Sequence, residues 1–475
     1  MKVPFTYIRN QIRKYSTDDI LSFCYNHLEN KKDEIFPVWI IFTLMKWSYL
    51  HGSYNTVSKK LDQKNFTKLY NLIFEFNSEH ISNFLKLRID RGLHILYSQQ
   101  FYLQKAVYKE VFATQLKIYN SISGKYDIQK SFEEKTGISV KDFIFLQQII
   151  WLFTNVDNSS GAFKYFGHLS QDFINVAKEM TSKDKVDKFL NLTVLNPGNT
   201  KESIQEFKRK INNEDLQSLE TTFFTLYPFQ KFNNQIKVIH KSVYNHFVNY
   251  FIYDYLKSND EKFTTEFGNR FEKYIEYGLK EINLLYDNET ALKKFLPKNS
   301  NVVDFRISEY NIYLECKAIE MQPYTSINPT DELLYNSLKD SILKAYFKQL
   351  LHVSKTLTPN EENWGIILTY KELFWSNFTN LFELGKDKFP NSVDCKLLPA
   401  ENVFIIDIYT WDKIIQIIKD KKATLIEILK LAKSNNSDPK TAKQLFHMHL
   451  DVYSLQKMDQ SYLAPEIEQL KIMPK

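Results

Sequence analysis

Glycine is scarce in this chain: 11 in 475 residues, beside 13 prolines. Average usage is roughly 7% Gly and 5% Pro, so the residues that make tight and left-handed turns are in short supply. Long continuous elements follow. Collagen-like repeats and Gly-rich linkers are excluded, and a many-turned β-propeller or sandwich is disfavoured. The shortage also bears on chemistry. The glycines stand at 52, 92, 124, 137, 161, 167, 198, 268, 278, 365 and 385. No set of them has the spacing of a dinucleotide-binding fingerprint, a Walker A loop or a Gly-x-Ser-x-Gly nucleophile elbow.

With 43% apolar, 15% aromatic and 25% charged residues, the chain has ample core material for a globular fold. Its length suggests about two or three domains. The net charge of +6 permits a nucleic-acid partner without arguing for one, because 62 basic residues oppose 56 acidic ones. Cys24, Cys316 and Cys395 lie too far apart in sequence for a Cys-x-x-Cys zinc site or a disulfide framework, which points to a reducing cytoplasm. Met1 to Asp19 is polar and basic, without the apolar stretch of a signal peptide. The most apolar run, Ile35 to Met45, spans 11 residues, whereas a bilayer requires about 20; it reads as a buried helix.

Residues 1–215 read as an all-helical domain for recognition or regulation. Ser16-Thr-Asp-Asp19 has the form of a helix N-terminus, and Pro37 stands where it would open the Val38–Leu50 helix. An aromatic stretch ends at Tyr255, and a helix from Thr265 to Asn283 presents Phe271, Ile275, Leu279 and Ile282 on one face. The period then becomes two. Asn301 to Ile307 and Ile312 to Ile319 read as strands joined by a hairpin-like Ser308–Asn311. A helix over 331–353, a strand over 365–370, a helix to about Leu384 and a strand over 403–409 follow. The expectation is thus a mixed α+β chain: a helical domain 1–215, an α/β domain 216–435 and a helical tail 436–475.

The chemistry concentrates in Asp304 and Glu315-Cys316-Lys317. On an extended strand Glu315 and Lys317 share a face with Tyr313 and Ile319, while Leu314, Cys316 and Ala318 point the other way. A hairpin brings Asp304 alongside Glu315. Hard cations such as Mg²⁺ take oxygen ligands, so Asp304, Glu315 and the Cys316 backbone carbonyl form a candidate set, with water completing the shell. Such an ion would polarise a phosphate and acidify a bound water, with Lys317 offsetting charge on the phosphoryl oxygens. Glu-x-Lys also occurs at Glu133–Lys135 and Glu206–Lys208, and a Glu315–Lys317 salt bridge is the ordinary alternative. What differs here is that the charges interrupt strands apolar enough to be buried, where unpaired charge is costly.

Gly268-Asn-Arg-Phe-Glu272-Lys-Tyr-Ile, Val303-Asp304 and Leu314-Glu315-Cys316-Lys317-Ala318 together resemble the nuclease core of the PD-(D/E)xK superfamily, the restriction-endonuclease-like proteins. The resemblance covers roughly residues 240 to 420 in element order and about twenty residues in motif; Val303 departs from the nominal proline. It implies an αβββαβ core and Mg²⁺-dependent cleavage of nucleic-acid phosphodiesters, with Mn²⁺ as a substitute. It further implies double-stranded DNA as substrate, a role in anti-phage defence or restriction, and assembly as a homodimer or with a partner defence protein. Asp304, Glu315 and Lys317 fall on the acidic–acidic–lysine signature. Glu272 falls on the further acidic residue of the first core helix, where it is both a metal-ligand and a catalytic candidate, with Glu266 and Glu276 as rivals. Gly268 would mark that helix. From the helix after the catalytic strand, Gln349 is expected near the site, with Lys344 as second choice.

Two other readings stay open: a scaffold or sensor that binds nucleic acid or a partner without cutting, and a ribonuclease. His447 and His449 are expected at the surface, His240 and His246 in the core or at the surface rather than on a metal, and the aromatics of Tyr244–Tyr255 in the core rather than stacked on bases. Lys208–Lys210 and Lys419–Lys422 are expected on solvated faces or at phosphates.

Overall fold

The computed structural model describes residues 3–30, 38–53, 59–84, 88–99, 110–155, 167–169, 171–195, 216, 218–219, 222–232, 235–375, 377–389, 395–455 and 458–471. The chain is mixed α+β and mainly helical. It divides into two compact units, one of residues 1–108 with 130–258, the other of residues 109–129 with 259–475. These units are drawn at other positions than 215 and 435: residues 216–258 belong with the first unit, and the segment 109–129 belongs with the second.

In the first unit the helices Phe5–Ile12, Thr17–Asn30, Val38–His51 and Gln63–Phe84 share one apolar core. Ser16 opens the second of these, its Oγ accepting the Asp19 N–H at 3.0 Å. Val38–His51 is buried along nearly its whole length, which is why its sequence is apolar all round. Pro37 and the 208–210 lysines lie outside the described residues. The helix Lys241–Asn259 stacks Phe251 on Phe143 at 4.9 Å, and Tyr244, Phe247 and His240 are buried with it, so these aromatics are core.

An all-helical region over 1–215 is corrected by a small sheet. Strands β1 (Gly167–Leu169), β2 (Val194–Leu195), β3 (Phe229–Phe232) and β4 (Gln235–Val238) pair in the order β1-β4-β3-β2. Strands of two to four residues are too short to display a period of two.

The second unit holds a five-stranded sheet of β5 (Asp287–Asn288), β6 (Phe305–Ile307), β7 (Ile312–Lys317), β8 (Trp364–Thr369) and β9 (Val403–Asp407), in that spatial order. The β5–β6 and β6–β7 pairs are antiparallel, while β7–β8 and β8–β9 are parallel. β8 and β9 are buried at every residue, as a parallel sheet covered on both faces requires. A helical segment over 331–357, capped by the Thr330 hydroxyl, covers the face of Tyr313, Ile367 and Ile405. Its middle, Lys339–Leu343 and Ala345–Leu350, is wound as π-helix, a form frequent at functional sites. The helices Phe263–Glu281 and Ile408–Lys419 contact β7, β8 and β9 and each other.

Several boundaries are tighter than the sequence pattern suggests. Asn311, at φ 50 and ψ 46, closes a single 3₁₀ turn between β6 and β7; asparagine tolerates this left-handed geometry better than most residues. β9 stops at Asp407 because its carboxylate accepts the Thr410 N–H and starts the next helix. The helix expected to follow β8 directly is confined to Thr379–Gly385. Among the described residues no helix is long and apolar enough to cross a membrane.

Candidate active site

Phe305 pairs with Leu314 across the β6–β7 ladder, which puts Asp304, one residue earlier, beside Glu315. Asp304 lies just outside β6 rather than within a strand beginning at 301. Its Oδ2 accepts the Cys316 N–H at 2.7 Å. In a strand the N–H and C=O of one residue project to the same side, so the Cys316 carbonyl is directed towards Asp304 as well. The cluster lies at the carboxyl end of β7, the parallel-strand end where open α/β sheets bind ligands.

Glu315 is 2% exposed. Its Oε1 accepts two charge-supporting hydrogen bonds, from Lys317 Nζ at 2.5 Å and from Gln349 Nε2 at 2.6 Å. Gln349 Nε2 also donates to the Val302 carbonyl at 3.0 Å, which ties the helix to the segment leading into β6. The second oxygen, Glu315 Oε2, is buried with no hydrogen-bond partner. Glu315, Lys317, Asp304 and Gln349 are thus brought together within one hydrogen-bonded cluster.

Glu272 comes from the Phe263–Glu281 helix and is half-buried. Burial pushes its carboxyl up to about 7, and the charges of Asp304, Glu289 and Glu276 push the same way. Burial likewise raises Asp304, against the lowering influence of the Cys316 hydrogen bond and Lys317. Burial and the Asp304 charge raise Glu315, with Lys317 and Gln349 opposing. The rivals of Glu272 are otherwise engaged. Glu266 is buried in an ion pair with Arg270 at 2.9 Å and accepts the Lys125 and Tyr126 N–H groups. Glu276 holds Tyr286 at 2.7 Å and Lys280 at 3.0 Å. Glu272 makes no hydrogen bond or ion pair among the described residues.

The Asp304 charge therefore acts on both Glu272 and Glu315, with Lys317 opposing at Asp304 and Glu315 and Lys273 at Glu272. The gathered carboxyls and the orphaned Glu315 Oε2 fit a hard divalent cation, which takes a few protein oxygens, favours their ionised form and completes its shell with water. Among the described residues no three His, Cys, Asp or Glu side chains enclose an ion by themselves. Such a cation would rely on the carbonyl and solvent as well.

Other expectations move. Gly268 is not required sterically, since an added Cβ would meet nothing within 4 Å. On the same helix the close approach is at Gly278, where a Cβ would come within 2.9 Å of Trp411. His449 is 1% exposed and 3.1 Å from Asn435, so it belongs to the core rather than the surface. Lys419 and Lys422 hold Glu281 and the Ser454 carbonyl, and are structural. Lys344 stands with Gln349 on a cleft that also receives Lys293 and Lys298. The last two were missed, although Lys293-Lys-Phe-Leu-Pro-Lys298 is a visible basic run. Comparison of the chain with protein-family models, curated proteins and solved structures finds no match.

Proposed function

We propose that this chain is a Mg²⁺-dependent nuclease that hydrolyses nucleic-acid phosphodiesters at the Asp304–Glu315–Lys317 cluster. The observation that carries the reading is the buried, unpartnered Glu315 Oε2 set among an excess of carboxylates at a parallel-strand end. A structural ion pair alone leaves such an oxygen without purpose, since burying an unsatisfied acceptor costs about 1–3 kcal/mol. The order helix, β5, β6, β7, helices and β8 supports the reading, with a short helix Glu289–Leu292 after β5 and a fifth strand, β9, in addition to the αβββαβ order that the resemblance implies.

In this reading Asp304, Glu315 and the Cys316 carbonyl would hold the cation, and Glu272, whose carboxyl feels the Asp304 charge, would stand beside them as a further acidic group. When bound, the ion supplies an acidified water and offsets charge on the phosphoryl oxygens. The chain's own residues do the rest. Lys317 carries the positive charge that faces the scissile group. Gln349 holds Glu315 Oε1 and so aims Oε2. In the metal-free site Glu272 is raised to about 7, by burial first and then by Asp304, Glu289 and Glu276, and a bound cation would favour its ionised form.

The test is cleavage of labelled duplex DNA, single strands and structured RNA with Mg²⁺ or EDTA. Asp304→Asn and Lys317→Met are expected to abolish divalent-dependent cleavage while leaving the far-UV CD spectrum intact. Full activity in either variant removes the assignment. The closed Lys317–Glu315 contact favours a second reading, a module that binds without cutting; it predicts binding with no cleavage of any of these substrates.

A further inference from the structure

Beside Lys317 and Gln349 opens a cleft of about 620 Å³ whose wall carries Lys293, Lys298, Lys317 and Lys344 against one acidic residue, Glu289. Lys293 is neutralised by Glu289 at 2.6 Å, and Lys317 by Glu315. Lys298 and Lys344 form no ion pair among the described residues. The cleft therefore holds unneutralised positive charge, and a concave, low-dielectric wall focuses such a field on an anion. Its polar surroundings, Asn299, Ser300 and Asn301, suit phosphate and sugar oxygens rather than an apolar ligand.

Size decides what kind of polyanion fits. A volume of about 620 Å³ falls within the roughly 300–1,000 Å³ range of small-molecule pockets. That is room for a short stretch of one strand to enter, whereas a duplex could only lie across the mouth.

We infer that this cleft binds an unpaired stretch of nucleic acid next to the scissile phosphate, so that the substrate strand is single-stranded where it leaves the site. The inference rests on the nuclease reading for the location of the scissile group, and it narrows the duplex expectation: a duplex is acted on at a frayed, flapped or single-stranded segment. Lys298 and Lys344 contact phosphates of that segment and do not take part in bond cleavage.

The experiment is fluorescence anisotropy in EDTA, which reads binding with cleavage silent. The probes are unpaired DNA and unpaired RNA of roughly ten nucleotides and a blunt duplex of the same sequence. The unpaired probes should bind at least about tenfold tighter than the blunt duplex. Lys298→Ala with Lys344→Ala should weaken binding of the unpaired probe about tenfold and lower the slope of log K against log salt by about 1.4, for two phosphates on a single strand. Both lysines are exposed, so an unchanged melting temperature confirms the fold, and Lys298→Gln with Lys344→Gln serves as a second variant. Preference for the blunt duplex, or an unchanged affinity and slope, overturns the cleft. A chain that shows the predicted binding yet cuts nothing with Mg²⁺ supports the cleft and removes the nuclease reading instead.

Discussion

Replacing Glu272 by Gln should make the metal-free protein more stable in mild alkali, against the usual rule that losing a charged residue near a site does harm. The native carboxyl is raised from 4.5 to about 7, first by burial and then by Asp304, Glu289 and Glu276. A carboxyl raised on folding stabilises the native state fully below its unfolded pKa, and that contribution is lost as pH climbs through the folded value. Stability of the metal-free chain should therefore fall between about pH 4.5 and pH 7. The full shift corresponds to about 3.4 kcal/mol at 1.36 kcal/mol per unit. Because Glu272 is only half-buried, solvent screening reduces this to on the order of 1–2 kcal/mol. For a unit of this size that is about 2–8 °C in melting temperature. The assay is thermal melting across pH in EDTA. Glu272→Gln should melt higher than the native chain at about pH 8.5 and level with it near pH 4, both being uncharged there. Added Mg²⁺ should reverse the order above neutrality, because metal ligands must be deprotonated and binding stabilises by mass action. Identical pH profiles for the two proteins in EDTA would refute the claim that Glu272 belongs to a mutually repelling carboxylate cluster.

Further outcomes follow from single contacts. Gly268→Ala should stabilise by about 0.5–1 kcal/mol, since this helix-interior glycine has open space around it, whereas Gly278→Val should destabilise by about 1–3 kcal/mol by driving into Trp411 and Ile415; chemical denaturation measures both. Asp412 is buried and accepts hydrogen bonds from Tyr274 and Tyr462, so Asp412→Ala should cost about 2–4 kcal/mol by leaving hydroxyls unpaired, with Asp412→Asn recovering part of it. Gln349→Leu should lower cleavage and cost about 1–3 kcal/mol of stability, because Glu315 Oε1 and the Val302 carbonyl both lose the donor that holds them; unchanged kcat would remove Gln349 from the site.

The sequence made some elements plain and hid others for identifiable reasons. β7, β8 and β9 were legible because their residues are apolar and flanked by polar breaks, and the alternation of Tyr313, Glu315 and Lys317 against Leu314 and Cys316 correctly separated the two faces. The juxtaposition of Asp304 and Glu315 followed from a short connection between two strands. The sheet of the first unit was not legible, because β1 to β4 take their pairing from residues up to 71 positions apart and are each too short for a pattern. Glu266 and Glu276 could not be separated from Glu272 by helical spacing. Their partners, Arg270 with the 125–126 backbone and Tyr286 with Lys280, appear only once the chain is folded. Gly268 drew notice through the family pattern while Gly278, the glycine that a helix crossing actually needs, did not; close approach by Trp411 is a tertiary fact. The lysine cleft is of the same kind: Lys298 and Lys344 are 46 positions apart and meet only across it.

The central claim is that Asp304 and Glu315 together hold a divalent cation. Anomalous diffraction from crystals grown with Mn²⁺ tests it directly. One strong peak is expected within coordination distance of an Asp304 carboxylate oxygen, Glu315 Oε2 and the Cys316 carbonyl, absent in Asp304→Asn crystals. No peak there at saturating Mn²⁺, with the Glu315–Lys317 pair closed as before, would contradict it and leave a structural salt bridge in its place.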